Sequence, residues 1–395
     1  MKKYLLLTTF LTFGMAQVYA QSADLASAIS GGDEASEQTY EKEKLNENVA
    51  DDRGLFSFLN FSFIKKPISA FFNKTTEEEI QNTEDNVSAK EEHKYEHETP
   101  LEKATRLAKE GDVDSALTLG YMYLYGQDGV KADYKKAFYF YQLAAKTNNA
   151  VALTNLGSLY FNGIGTDVDY EKAAQLFLQA SQLGSNDAAV NLAFIYLSLK
   201  DPSYYETAVK LFEQAAKSDD KTAEFMLGYA YYRGFVVQQD FHKAVQLIRK
   251  SADANFDEAH YVMANIYANG EGIAQNYGSS VKHYRAAISQ GNVESMMELA
   301  QILTEGKMFP QNLVEAHVLY NIASVYGAPQ AAENRNTIEE ALQLEGLLEA
   351  QNVAEGFKES PSELTQYIRK TFGPNIRLYI DNNLRHKGVK IEKNI

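Results

Sequence analysis

Between Ser115 and Gly327 one pattern returns six times at a nearly constant spacing. The stretch from Asn155 to Gly184 shows it whole: Leu156-Gly157, Tyr160, Gly163, Gly165, then Asp169-Tyr170-Glu171-Lys172-Ala173, Leu176-Phe177, Ala180 and a closing Gly184. A first set of small positions falls at Gly120, Gly157, Ala193, Gly228, Ala264 and Ala300, separated by 37, 36, 35, 36 and 36 residues. A second set, Ala137, Ala173, Ala208, Ala244, Ser280 and Ala316, keeps step with it at intervals of 36, 35, 36, 36 and 36. A fixed period of this length marks a stacked repeat architecture. One unit cannot bury its apolar faces alone, so its neighbours must supply the other half of the core.

Each unit reads as a helix, a loop, a second helix and a turn. Leu153, Leu156, Leu159, Leu176 and Phe177 recur at helical spacing, and Gly157 and Ala173 stand where two antiparallel helices approach closely. Gly126, Gly163, Gly234, Gly270 and Gly306, each six residues past the first small position, predict left-handed helix ends. Asp133, Asp169, Asp240, Asn276 and Asn312, each four residues before the second small position, predict N-caps. The third unit has Leu199-Lys200-Asp201-Pro202 in place of the glycine loop, and there Ser203 with Glu206 predicts a capping box.

The residues Leu119-Gly120-Tyr121-Met122-Tyr123 with Gly126, the run Leu156 to Gly165, and Lys172-Ala173 followed by Ala180 resemble the Sel-one-like repeat, a relative of the tetratricopeptide repeat. The resemblance covers about residues 115–327. It implies an all-α fold, a right-handed α-superhelical solenoid of helix-turn-helix repeats with capping helices, acting as an adaptor and often found in bacterial envelopes. Family members with a claimed enzymatic or penicillin-binding role pin each repeat with a disulfide. This chain has no cysteine, so that activity is not carried over.

Lys2-Lys3, a short apolar run and Val18-Tyr19-Ala20 read as a signal peptide, residues 1–20, cleaved after Ala20. A periplasmic or secreted location is expected from it. Residues 21–99 read as an acidic, mostly disordered linker; 33–98 hold 17 acidic against 8 basic residues. Inside it lies an aromatic island, 55–72, with Phe56, Phe58, Phe61, Phe63, Phe71 and Phe72. Two readings are open for it: a docking or membrane-surface motif, or a segment folded back over a groove of its own solenoid.

Residues 100–114 read as an N-terminal cap helix and 328–358 as C-terminal capping helices, with helices expected over 331–342 and 347–357. From 359 to 395 the chain reads as a basic tail with a short helix opening at Ser360-Pro361-Ser362-Glu363 through a capping box. Ile376, Leu378 and Ile380 then alternate like a short strand. Residues 360–395 carry 7 Lys and Arg against 3 Asp and Glu, on a chain of formal net charge -15. Three readings are open for such a tail: steering to anionic lipid, cell-wall polymer or an acidic protein, neutralising the acidic N-terminal linker of its own chain, or mere solvation.

No glycine-rich phosphate loop, nucleophile elbow or cysteine nucleophile is present, and the chain is read as a non-enzyme without metal or cofactor. His93 and His97 share a spacing of four but lack the rest of a metal site, and His242, His260, His283 and His317 fall at different repeat positions. Overall acidity argues against nucleic acid.

By analogy with tetratricopeptide arrays, the concave face is expected to present Tyr121, Asn155, Ser158, Phe161, Asn191, Phe194, Tyr229, Tyr232 and Asn265, with Phe225 and Tyr261 either there or packed between repeats. Tyr160, Tyr196, Tyr231 and Tyr267 read as core. Aromatic rings and amides suit capture of a peptide segment. The expected function is a non-enzymatic interaction scaffold of the bacterial envelope that binds an envelope protein or peptide segment. A periplasmic regulator of a membrane sensor or export complex is the alternative, and a cell-wall enzyme a third reading.

Overall fold

The computed structural model describes residues 98–386. The signal-peptide segment 1–20, the linker with the island 55–72, and residues 387–395 lie outside them. Among the described residues all regular structure is helical: α1 (Pro100–Glu110), α2 (Val113–Tyr125), α3 (Tyr134–Ala145), α4 (Ala150–Asn162), α5 (Tyr170–Gln182), α6 (Asn186–Ser198), α7 (Tyr205–Ala216), α8 (Lys221–Arg233), α9 (Phe241–Asp253), α10 (Asp257–Asn269), α11 (Tyr277–Ser289), α12 (Val293–Glu305), α13 (Leu313–Val325), α14 (Ala331–Glu339), α15 (Leu344–Glu355), α16 (Glu363–Phe372) and α17 (Leu378–His386). None of these is long and apolar enough to cross a membrane. The chain divides into two compact units, up to Asp201 and from Pro202 onward, so the division falls inside the third repeat.

In the first unit α2 pairs with α3 and α4 with α5, preceded by α1 and followed by α6. Leu119, Met122, Tyr141, Leu159 and Phe177 are buried at their centre. The small positions are what let the helices meet: a Cβ at Gly157 would stand 2.9 Å from the Phe177 ring. Gly165 has a further task. Its φ is +71°, and a Cβ there would lie 2.1 Å from the carbonyl oxygen of Tyr134, at the start of the preceding repeat's second helix.

In the second unit α8 pairs with α9, α10 with α11, and α12 with α13, with α7 ahead of them and α14 and α15 packed on α13. Phe212, Phe225, Phe256, Met263, Tyr284 and Leu299 are buried. Charge is buried here as well. Glu224 on α8 is fully enclosed and accepts from Lys221 at 2.9 Å and Lys250 at 2.8 Å, so the carboxylate ties α8 to α9.

The local signals read from sequence are mostly realised. The five glycines after the first helices all adopt left-handed φ, and Asp133, Asp169, Asp240, Asn276 and Asn312 each accept a backbone N–H of the first turn. Replacing Asn276 by alanine removes the bond from Ser279 N at 2.9 Å and is expected to cost about 1 kcal/mol, read from the shift in the urea midpoint.

Three expectations are corrected. Ser203 and Glu206 form no capping box at α7: a 3₁₀ turn, Pro202–Tyr204, leads directly into the helix, and its N-cap position Tyr204 makes no side-chain cap bond. The cap of α16 is Ser362 rather than Ser360, accepting from Thr365 N at 3.0 Å, so the helix starts two residues later. Ile376, Leu378 and Ile380 form no strand. Ile376, Ile380 and Leu384 repeat every fourth residue, and all three are buried, Ile376 in the turn before α17 and the other two on it. The capping helices also shift, to Ala331–Glu339 and Leu344–Glu355.

Candidate partner-binding face

The first helices of the last three repeats, α8, α10 and α12, present aromatic and charged groups on one face, and α16 and α17 lie across it. The apolar side of this pair supplies Ile368, Phe372, Ile376, Ile380 and Leu384, all buried. Its polar side is matched group by group. Arg369 donates to Asp257 Oδ2 at 2.6 Å. Arg377 donates through Nε to Glu258 Oε2, stands 3.8 Å from Glu294, and lies over the Tyr261 ring with 4.5 Å to its centroid. Asp381 accepts from Tyr229 Oη at 3.0 Å and from Arg233, while Asn383 Oδ1 accepts from Tyr205 Oη at 2.7 Å.

At the beginning of α16 the chain is held by a smaller network. Ser360 N donates to Ser289 O at 2.8 Å, Ser362 Oγ to Asn255 O at 2.6 Å, and Thr365 Oγ1 to Gln290 Oε1 at 2.7 Å. The tail's two described anchoring arginines are therefore spent on carboxylates of the repeats and not on solvent.

Asp257 and Glu258 open α10, where the helix macrodipole favours negative charge. Both are enclosed by the docked segment, at 1% and 0% exposure. Burial pushes the Glu258 carboxyl up to about 7, with Asp257 and Glu294 acting in the same direction and Arg377 opposing them. The Tyr229 hydroxyl is pushed up to about 12, again chiefly by burial. Glu258 Oε1 and Asp257 Oδ1 are buried without a hydrogen-bond partner, so each carboxylate is only half satisfied.

The residues expected on the concave face divide into several groups. In the first unit Asn155, Ser158 and Phe194 are buried, contrary to the expected exposure; Ser158 donates to Thr154 O at 3.0 Å within its own helix. Tyr121, Phe161 and Asn191 are half-buried, with the Tyr121 ring 4.7 Å from Tyr125 and the Phe161 ring 5.1 Å from Tyr170.

In the second unit Tyr229 is 3% exposed because α17 covers it, and Phe225 packs edge-on to Phe256 inside the stack. Tyr232 donates to Glu271 Oε2 at 2.8 Å in the next repeat's loop, and Asn265 accepts from Tyr284 at 2.6 Å. Those two polar groups are thus engaged within the repeats. Tyr160, Tyr196, Tyr231 and Tyr267 are half-buried and not core. Residues that sequence reasoning passed over, Asp257, Glu258, Arg233 and Tyr205, make the anchoring contacts. The signal available for them was the pair of adjacent acids opening α10.

Beside this face His260 and His283 meet Nδ1 to Nδ1 at 2.9 Å, and His260 Nε2 meets Asn255 Oδ1 at 3.1 Å. One Nδ1 must donate and the other accept, which requires the accepting ring to be neutral. Burial, His260 and Arg249 push His283 down, to about 4, against Asp253. Burial also lowers His260, against Asp257 and Asp253. With a depressed folded-state pKa, the unfolded chain takes up the proton first as pH falls. The stabilisation is full above about 6.5 and is lost on acidification toward about 4. Urea unfolding at stepped pH should show His283→Gln with a flatter loss of stability over this window than the parent; equal slopes would refute the assignment.

The Sel1 repeat model matches residues 113–149, 150–185, 186–220, 222–256, 257–292 and 293–324, more than half of the chain. The chain is a Sel1 repeat protein. Sel1 repeats are generally non-catalytic protein-interaction scaffolds. A sel1-like repeat-containing protein of Acanthamoeba polyphaga mimivirus is 33% identical over 135 residues, 34% of this chain and 24% of that protein. The match thus spans about a quarter of that relative's length. Among solved structures, a Sel1 repeat protein from Oxalobacter formigenes is 27% identical, covering 57% of this chain and 99% of that one, with a TM-score of 0.48. A protective antigen of uropathogenic Escherichia coli with an SLR fold is 21% identical over 75% of this chain and 68% of its own, with a TM-score of 0.49.

Proposed function

We propose that this Sel1 repeat protein is a non-enzymatic adaptor of the bacterial envelope, holding a segment of an envelope protein against the faces made by its first helices. The observation that supports it most is the seating of α16 and α17 on α8, α10 and α12. Five apolar side chains and four polar anchors are accommodated there, so the face has the chemistry needed to capture a helical segment. The envelope location rests on the expectation that residues 1–20 are a signal peptide.

Crosslinking and pull-down from an envelope fraction test the adaptor reading. The mature chain is compared with a variant carrying Tyr121→Ala and Phe161→Ala, two half-buried aromatics of the first unit. A partner crosslinked to the parent and lost with a folded variant supports binding there. Absence of any saturable partner for either protein refutes it. Retention of the chain in the cytoplasm after fractionation refutes the envelope location.

A further inference from the structure

We propose that α16 and α17 are a displaceable resident of a recognition site, and that the site's exchange ligand is an arginine-bearing amphipathic helix of a partner protein. This rests on the adaptor reading and adds the partner's chemistry and a means of regulating access.

The resident displays the pattern that the site selects. Ile376, Ile380 and Leu384 form the apolar stripe; Arg377 meets Glu258, Asp381 meets Arg233 one helical turn later, and Asn383 meets Tyr205. The face is thus acidic at the start of α10 and α12, through Asp257, Glu258 and Glu294, and cationic at the end of α8, through Arg233. A ligand helix must run with its arginine toward the acids and its carboxylate toward Arg233, which fixes direction as well as composition.

One observation points to exchange over permanent closure. Glu258 Oε1 and Asp257 Oδ1 are sealed under the resident without a donor, so the resident satisfies the site incompletely. A helix offering further N–H donors there competes with it.

Hydrogen exchange on the full chain, followed by peptide binding, tests this. Amides of α16 and α17 are expected to exchange at least tenfold faster than those of α8 to α13. Ile380→Glu places a charge in the apolar stripe and leaves every repeat residue unchanged. A labelled synthetic peptide of residues 359–386 should bind that variant at least tenfold more tightly than it binds the parent. Adding Glu258→Gln should weaken peptide binding at least tenfold.

Exchange of α16 and α17 at the rate of the repeats would overturn displaceability, as would collapse of repeat helicity in Ile380→Glu. Peptide binding indifferent to Glu258→Gln would overturn the arginine specificity. The adaptor reading is scored separately, by the crosslinking on the first unit.

Discussion

Arg377→Ala is expected to release α17 from the repeats and to produce one of the largest losses of any single side chain in the second unit. The substitution leaves Glu258 under the docked segment with no cation, and breaking a buried pair from one side costs about 3–5 kcal/mol. That cost has a ceiling. If the segment contributes less than this to overall stability, it lifts off, Glu258 becomes hydrated, and the measured loss equals the docking free energy.

The two regimes are told apart by urea unfolding together with exchange of the α16 and α17 amides. A lower midpoint with slow exchange means the segment stays down; fast exchange with an unchanged repeat core means that it has left. Pairing Arg377→Met with Glu258→Gln removes both charges and should restore a good part of the loss, because neither partner is then stranded. A single substitution without effect on either readout would mean that the Glu258 contact contributes nothing to holding α17.

Gly165→Ala is the second large effect, in the first unit. Its φ of +71° already disfavours any side chain, at about 1–2 kcal/mol. The added Cβ would also stand 2.1 Å from a backbone oxygen, Tyr134 O, which no rotamer change relieves. Overpacking adds about 1–3 kcal/mol. Gly184→Ala is the control: φ is +92° and nothing lies within 4 Å, so only the conformational cost applies. Urea midpoints for both should therefore separate by more than the error of extrapolation. Equal losses would show that the loop moves away from the preceding repeat without penalty.

The contrast between these two sites shows what could be read from sequence. Repetition makes a residue's neighbours predictable: the same small position recurs six times, so Gly157 against Phe177 and the caps at Asp169 and Asn276 follow from spacing within a repeat. The solenoid class and its family were legible for that reason. The docked segment occurs once. Its partners lie 71 to 178 residues away, as in Ser360 with Ser289 and Asn383 with Tyr205, and no period links them.

The same reasoning explains the errors. Ile376, Leu378 and Ile380 satisfy a period of two over three positions, and Ile376, Ile380 and Leu384 satisfy a helical one over three; only the surface beneath chooses between them. Tyr229 is expected on the concave face from its place in the repeat, but its exposure depends on whether anything covers that position, and α17 does. Helix lengths, caps, turn glycines and the repeat stack are local or nearest-neighbour properties, so the order of residues along the chain is enough to specify them. Which face is filled, which acids lose their water and which arginines meet them are set by long-range docking, because desolvation and ion pairing depend on groups that share space and not sequence.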